Sequence, residues 1–528
     1  MKSLMKRVFA AAAAIATVFG LAATTVATAN AADNATLTVS TTDAKFAGKT
    51  VNAYKMFSAT VSGDGKAVSY TLTDEWKPFF KNSVGLTGVT DENVNDKAND
   101  YVSKLKDSTL VAFATKASNW AQTKANNITA DATATVSADA SNGKYTATFT
   151  GLGYGYYVVA VPGATLANAK SQYATLVSVH STKVDADIKG DLPTVDKKVQ
   201  VDGTGKDATD AKIGDTLTFT LTSTIPDMSA YDTYTFNFKD TLSKGLTFGQ
   251  VKSVKVENVT LTENTDYTVT TPTASNNNTL TVAMKDFKTK QQANAGKKIT
   301  VTYTATLNEN AVVGGAGNVN SAKIQYSNNP STNGTGESEP SKVRVFTYGF
   351  TVDKYTGDQY TDAATRLAGA EFTLAHKDGS AISFVQVSAG SATANAVYRV
   401  AKAGETGTTT ITTPANGKVV FEGLENGEYT LNETKAPAGY NKLASAIGVK
   451  VDGQNNGTDT TNATVTITYN NDNGNDYNQT ASNGVIPVQN KSGAILPGTG
   501  GMGTIAFTVI GVLVIALGVA WTLKRKNA

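Results

Sequence analysis

The chain has 528 residues, 40% hydrophobic and 17% charged, with a formal net charge of +3 and no cysteine. At about 150 residues per domain this length calls for roughly three cores, and without cysteine it has neither disulfide staples nor thiolate metal sites. With His180 and His376 as the only histidines, no metal site, cofactor or His-based catalytic centre is expected, and the Gly153 to Gly155 pair is too short for a phosphate loop.

In chain order, Lys2, Lys6 and Arg7 precede an apolar run from Val8 to Leu21 and the small-x-small site Ala29-Asn30-Ala31. That is the layout of a secretory signal peptide, assigned to 1–31. Residues 32–190 form a first domain, less regular than the rest, with a helix expected around Tyr101 to Ala125. Residues 191–345 form a second. There Leu217, Phe219 and Leu221, and Ile299, Val301, Tyr303, Ala305 and Leu307, alternate with polar residues as half-buried strands do. A third domain, 346–495, follows the Pro/Ser/Gly-rich run from Pro330 to Pro340 and carries an Asn/Asp/Gly-rich segment, Asn470 to Asn475, read as an exposed loop. The pentapeptide Leu496-Pro497-Gly498-Thr499-Gly500 comes next, then an apolar run, Ile505 to Leu523. The run is read as a transmembrane segment (504–523), with 524–528 as a basic cytoplasmic tail. Lys2, Lys6, Arg7, Lys524, Arg525 and Lys526 sit in end segments without acids; removing these six positive charges from +3 leaves −3, which disfavours a nucleic-acid partner. Richness in Thr, Val, Asn and Gly makes the fold all-β, as tandem immunoglobulin-like sandwiches.

Side chains alternate across a strand, so parity assigns faces. Lys197 shares parity with Val195, Val199 and Val201; Asp240 with Tyr234, Phe236 and Phe238; Asn320 with Ala322, Ile324 and Tyr326. Lys354 follows Phe350 and Val352, Glu433 follows Tyr429 and Leu431, and Asn490 follows Ile486 and Val488 at the same spacing. Each of the two domains thus directs a lysine, an acid and an asparagine inward, which is costly unless they are paired. Desolvation favours a neutral amine and a protonated carboxyl. Such an amine can attack the asparagine carboxamide while Asp240 or Glu433 shuttles protons, giving a Lys197–Asn320 and a Lys354–Asn490 isopeptide bond and releasing ammonia. Asn318 and Asn328 stay open as alternative acceptors to Asn320.

The pentapeptide, apolar segment and basic tail together resemble the cell-wall sorting signal of sortase substrates. Tyr429-Thr-Leu-Asn-Glu433-Thr-Lys-Ala-Pro437-Ala-Gly-Tyr440 resembles the E-box of Gram-positive pilins and collagen-adhesin B-type domains, where the Glu promotes a Lys–Asn isopeptide bond. Pro193-Thr-Val-Asp-Lys197, Phe238-Lys-Asp240-Thr-Leu and Asn320-Ser-Ala-Lys-Ile-Gln-Tyr are similar to the middle domain of that family. The resemblance implies sortase cleavage between Thr499 and Gly500 and transfer of the Thr499 carboxyl to a lysine of the next subunit. Val184-Asp-Ala186-Asp-Ile188-Lys189 keeps the spacing of the family's lysine motif but lacks its Tyr-Pro pair. Lys189 is therefore the expected acceptor and Lys183 the runner-up.

The implied protein is a secreted structural subunit of a covalently polymerised fimbrium on the cell surface, anchored to peptidoglycan and serving adhesion. It is not an enzyme beyond its own autocatalytic cross-linking. Its implied partners are sortase, other copies of itself, accessory pilins, peptidoglycan and a host protein or glycan, with the membrane a partner only before sorting. The alternative is a wall-anchored adhesin or accessory pilin that binds a host protein or glycan without polymerising.

Overall fold

The computed structural model describes residues 34–164, 174–229, 231–328, 334–358, 362–454, 462–471, 476–493 and 502–526. Residues 1–31, read above as a signal peptide, and the Leu496 to Gly500 motif lie outside the described residues. Three pairs of sheets follow one another along the chain.

In the first, a three-stranded sheet sets Ala35–Thr41 between Tyr145–Leu152 (antiparallel) and Lys183–Asp187 (parallel). It faces a five-stranded sheet in which Thr50–Val61 and Gly155–Ala160 are central. Alternation divides the two faces of that sheet. Val51, Ala53, Tyr157 and Val159 pack toward the three-stranded sheet. Tyr54, Met56, Tyr156 and Val158 pack with Trp76, Phe79, Phe80, Ala98 and Phe113 of a helical layer. Gly155–Ala160 is therefore buried along its whole length and reads as a continuous apolar run, as strands covered on both faces do. The expected single helix is two, Val94–Ser103 and Asp107–Gln122. They part where the Thr109 hydroxyl accepts the Lys106 N–H at 2.9 Å and the chain turns.

The second pair is a six-stranded sheet containing Asp196–Val201, Thr216–Thr224 and Lys298–Leu307, facing a seven-stranded sheet containing Phe236–Leu242 and Asn318–Ser327. The third is a five-stranded sheet that closes with Tyr348–Tyr355 parallel to Val485–Gln489, facing a six-stranded sheet containing Glu371–His376 and Gly427–Lys435. Asn470 corrects one expectation. It ends the strand Thr464–Asn470, is buried, and accepts the Gly448 N–H on Oδ1 at 3.1 Å, so it is part of the sheet and not of an exposed loop.

The sheet pairs are joined by direct contacts. Lys45 pairs with Asp191 at the first junction, and Lys49 Nζ donates to Glu337 O at 2.9 Å. At the second, Ile213 N donates to Gly423 O at 3.0 Å, Asn426 N to Asp210 Oδ2 at 2.7 Å and Ala463 N to Gly315 O at 2.8 Å.

Met502–Lys526 is helical, with Ile510, Val514, Leu517 and Trp521 exposed. Among the described residues no helix is long and apolar enough to cross a membrane. The transmembrane assignment of 504–523 is therefore not supported.

Candidate functional site: two buried clusters of lysine, acid and asparagine

Lys197, Asp240 and Asn320 are each 0% exposed, as the parity of their strands requires. The neighbouring Lys198 lies on the other face, where it pairs with Asp207 at 2.6 Å. Lys197 reaches down from the six-stranded sheet over the stacked rings of Phe219 and Tyr303 and pairs with Asp240 of the opposite sheet. Asp240 and Asn320 lie on adjacent antiparallel strands, Asp240 opposite Ala322 and Asn320 opposite Leu242, so they sit diagonally on one face.

A fourth side chain completes this cluster. The Tyr303 hydroxyl donates to Asp240 Oδ2 at 2.5 Å and accepts from Lys197 Nζ at 2.8 Å and from Asn320 Nδ2 at 2.6 Å. Sequence parity placed Tyr303 on the core face, but only as an apolar member. The available signal was that a buried phenol needs a polar partner.

The competing asparagines are accounted for differently. Asn318 is buried but fully engaged with backbone: Oδ1 accepts from Val312 N at 2.9 Å, and Nδ2 donates to Val312 O and Val345 O at 3.2 Å. Asn328 lies past the end of its strand, beside Gly163 of the first sheet pair. Asn320 is thus the asparagine beside Lys197 and Asp240.

In the third pair of sheets Lys354, Glu433 and Asn490 are at most 1% exposed. Lys354 Nζ lies 3.4 Å from Glu433 Oε1 and donates to Val488 O at 3.2 Å. Glu433 Oε2 accepts from Asn490 Nδ2 at 3.0 Å and from Leu443 N at 2.8 Å. Asn490 Nδ2 also donates to Asn441 O at 3.0 Å, so the amide is aimed from two sides. Lys354 lies in the first strand of its sheet and Asn490 directly follows the parallel last strand, where Asn490 N donates to Tyr355 O at 2.9 Å. Behind Lys354 the buried Asp353 pairs with Arg366 Nε at 2.8 Å, on the opposite face of the strand.

Burial pulls Lys197 down to about 8 against the opposing attraction of Asp240. It pulls Lys354 down to about 8 against that of Glu433. A fraction of each amine is therefore neutral near neutral pH, as a nitrogen nucleophile requires. Burial also pushes the Tyr303 hydroxyl well above its ordinary value, so it remains a phenol and a donor. Among the described residues no group of three or more His, Asp or Glu is placed to hold a metal ion.

Lys189 is 35% exposed in its side chain and pairs with Asp187 at 3.4 Å. Ile188, on the opposite side, is buried. Lys183, in the strand Lys183–Asp187, is exposed.

Residues 213–330 match the profile of the Gram-positive pilin backbone subunit 2, Cna-B-like domain. This stretch of the chain is similar to a Gram-positive pilin backbone domain. The matched residues include Asp240 and Asn320, while Lys197 lies just before them. Residues 358–466 match the prealbumin-like fold domain SpaA and include Glu433. Among curated proteins the trypsin-resistant surface T6 protein of Streptococcus pyogenes serotype M6 is 26% identical over 279 residues, covering 48% of this chain. This chain spans 44% of the length of that relative. Solved structures with similarity include the T6 backbone pilin of S. pyogenes (18% identity, 87% of this chain and 99% of that one, TM-score 0.46). The major pilin SpaA of Corynebacterium diphtheriae is another (16% identity, 87% and 100%, TM-score 0.46).

Proposed function

We propose that this chain is a structural subunit of a covalent surface pilus, stapled internally by two isopeptide bonds. The observation that carries the reading is the pair of buried Lys–acid–Asn clusters, each with its amine lowered toward neutrality beside a carboxamide held by hydrogen bonds. In each, the neutral Nζ attacks the asparagine Cγ, and a proton passes from Nζ to the carboxylate and on to Nδ2. The Cγ–Nδ2 bond breaks, ammonia leaves and an Nζ–Cγ amide remains. The reacting groups are held within one folded core, so proximity supplies the rate. Each cluster reacts once.

Three units, 32–190, 191–345 and 346–495, stand in series in this reading. Sortase cleaves after Thr499 and joins its carboxyl to Lys189 of a neighbour, giving a head-to-tail filament that is finally attached to peptidoglycan at the cell surface. Lys189 stands before the junction closed by Lys45 and Asp191, with enough exposure to be reached once its pair with Asp187 opens. Lys183 remains the alternative acceptor.

Intact-mass measurement of the purified chain tests the staples, and tandem mass spectrometry of its peptides locates them. Two bonds remove two ammonia molecules, roughly 17 Da each. Linked peptides should join Lys197 to Asn320 and Lys354 to Asn490. Coexpression with a pilus sortase tests the polymer: a ladder lost in Lys189→Ala and kept in Lys183→Ala supports the assignment, and the reverse pattern moves it to Lys183.

A further inference from the structure

The two clusters solve the same geometric problem with different parts. In the third pair of sheets one carboxylate spans the reaction: Glu433 Oε1 faces Lys354 Nζ at 3.4 Å and Oε2 holds Asn490 Nδ2 at 3.0 Å. In the second the acid is an aspartate, one methylene shorter. Its Oδ2 meets Lys197 and Tyr303, and the Asn320 amide hydrogen-bonds to the Tyr303 hydroxyl at 2.6 Å and not to the carboxylate.

Tyr303 is also unlike other core tyrosines. The hydroxyls of Tyr157 and Tyr429 donate to backbone carbonyls four residues upstream, Gly153 O and Glu425 O, each at 2.7 Å. Tyr303 spends its hydrogen-bonding capacity on three side chains, and these are the amine, acid and amide of the cluster.

We propose that Tyr303 is a catalytic residue of the Lys197–Asn320 ligation, acting as the proton relay that lets Asp240 reach the departing amide nitrogen. This rests on the cross-linking reading above. The balance is as follows. As the Nζ–Cγ bond forms, Nζ gives a proton to Asp240 Oδ2. The Tyr303 O–H turns from Asp240 to Nδ2 and donates to it as the Cγ–Nδ2 bond breaks. Tyr303 then recovers the proton held on Asp240, and ammonia leaves. Tyrosine and aspartate end as they began, so no further reactant is consumed. Tyr303 stacks on Phe219 and is fully buried, so it stays a phenol and is fixed where the relay needs it.

The test follows newly synthesised full-length chain by mass spectrometry over time, with the Lys354–Asn490 linked peptide as internal standard. Tyr303→Phe should slow the Lys197–Asn320 link by on the order of 10²-fold, the low end for a lost general acid–base, and leave the Lys354–Asn490 link unchanged. Adding Asp240→Glu to Tyr303→Phe should restore the link, because the longer acid reaches the amide itself; a core-packing role for the hydroxyl predicts no such rescue. Wild-type rate in Tyr303→Phe overturns the relay. Should Tyr303→Phe not fold, as shown by a lost cooperative unfolding transition, a folded Asp240→Glu/Tyr303→Phe chain decides: a link formed supports the relay and no link overturns it. A wild-type chain that never links Lys197 to Asn320 overturns the ligation in this cluster, and the relay with it, a result distinct from a link that forms without the hydroxyl.

Discussion

Glu433 accepts a hydrogen bond from Asn490 Nδ2 at 3.0 Å while its other oxygen faces Lys354 Nζ, so one side chain holds both partners of the proposed bond. Glu433→Ala should abolish the Lys354–Asn490 link, and the intact mass should rise relative to the linked chain, after correction for the substitution, by one retained ammonia. It also strands a buried amine. Removing one member of a buried ion pair costs about 3–5 kcal/mol, a loss to be read from denaturant unfolding of the third pair of sheets.

Asn490→Ala separates the bond from the ion pair, because Lys354 and Glu433 remain. The lost link would have closed the chain from residue 354 to 490. On the chain-entropy account a closed loop of roughly 100 residues is worth about 4.7 kcal/mol. The expected result is a lower guanidinium midpoint with little change in slope, together with faster tryptic cleavage. A midpoint equal to wild type shows that no bond was there to lose.

The unlinked Asn490→Ala chain should also acquire a pH dependence that the linked chain lacks. Lys354 is lowered to about 8 in the fold from an ordinary 10.5. Between these values the unfolded chain holds a proton that the folded chain does not, so stability rises with pH across that window. Below about 8 both states hold the proton and the slope vanishes. The whole rise, complete only above 10.5, amounts to about 3 kcal/mol, and denaturant midpoints at pH 7.5, 8.5 and 9.5 should follow its larger part. In the wild-type chain the same titration governs rate: link formation should accelerate as pH rises toward 8 and level off above it.

Gly423 sits at the second junction with φ +85°, and a Cβ there would lie 2.7 Å from Ile213 Cδ1. Gly423→Ala therefore meets both backbone strain and a side chain of the preceding sheet pair. A loss of about 1–3 kcal/mol is expected, with new protease sensitivity near Ile213 and Gly423. Both clusters should still form their links, which separates this effect from the chemistry.

Much of this was legible in the sequence because a strand repeats every two residues. Parity alone sent Lys197 inward and Lys198 outward, and it did the same for Asp240, Asn320, Glu433 and Asn490. Parity within a strand says nothing about what lies across the sandwich, however. Tyr303 looked like one more apolar position in the Lys298–Leu307 strand, and its three polar partners follow from where the six- and seven-stranded sheets meet. Asn318 and Asn320 share parity, and only the backbone partners at Val312 and Val345 tell the backbone-bound amide from the one beside Lys197 and Asp240. Asn470 was misread because composition cannot distinguish a polar residue that closes a strand from one that begins a loop.

The third pair of sheets begins and ends with strands that run side by side in the same direction, and so does the first, where Ala35–Thr41 pairs with Lys183–Asp187. A chain folded this way enters such a unit at one pole and leaves it at the other, as a hairpin-closed unit would not. Each of these two units therefore behaves as a one-way segment. Tension applied at its ends loads the terminal strands in shear along their shared row of hydrogen bonds, and in the third unit the Lys354–Asn490 bridge would carry that load directly from entry strand to exit strand.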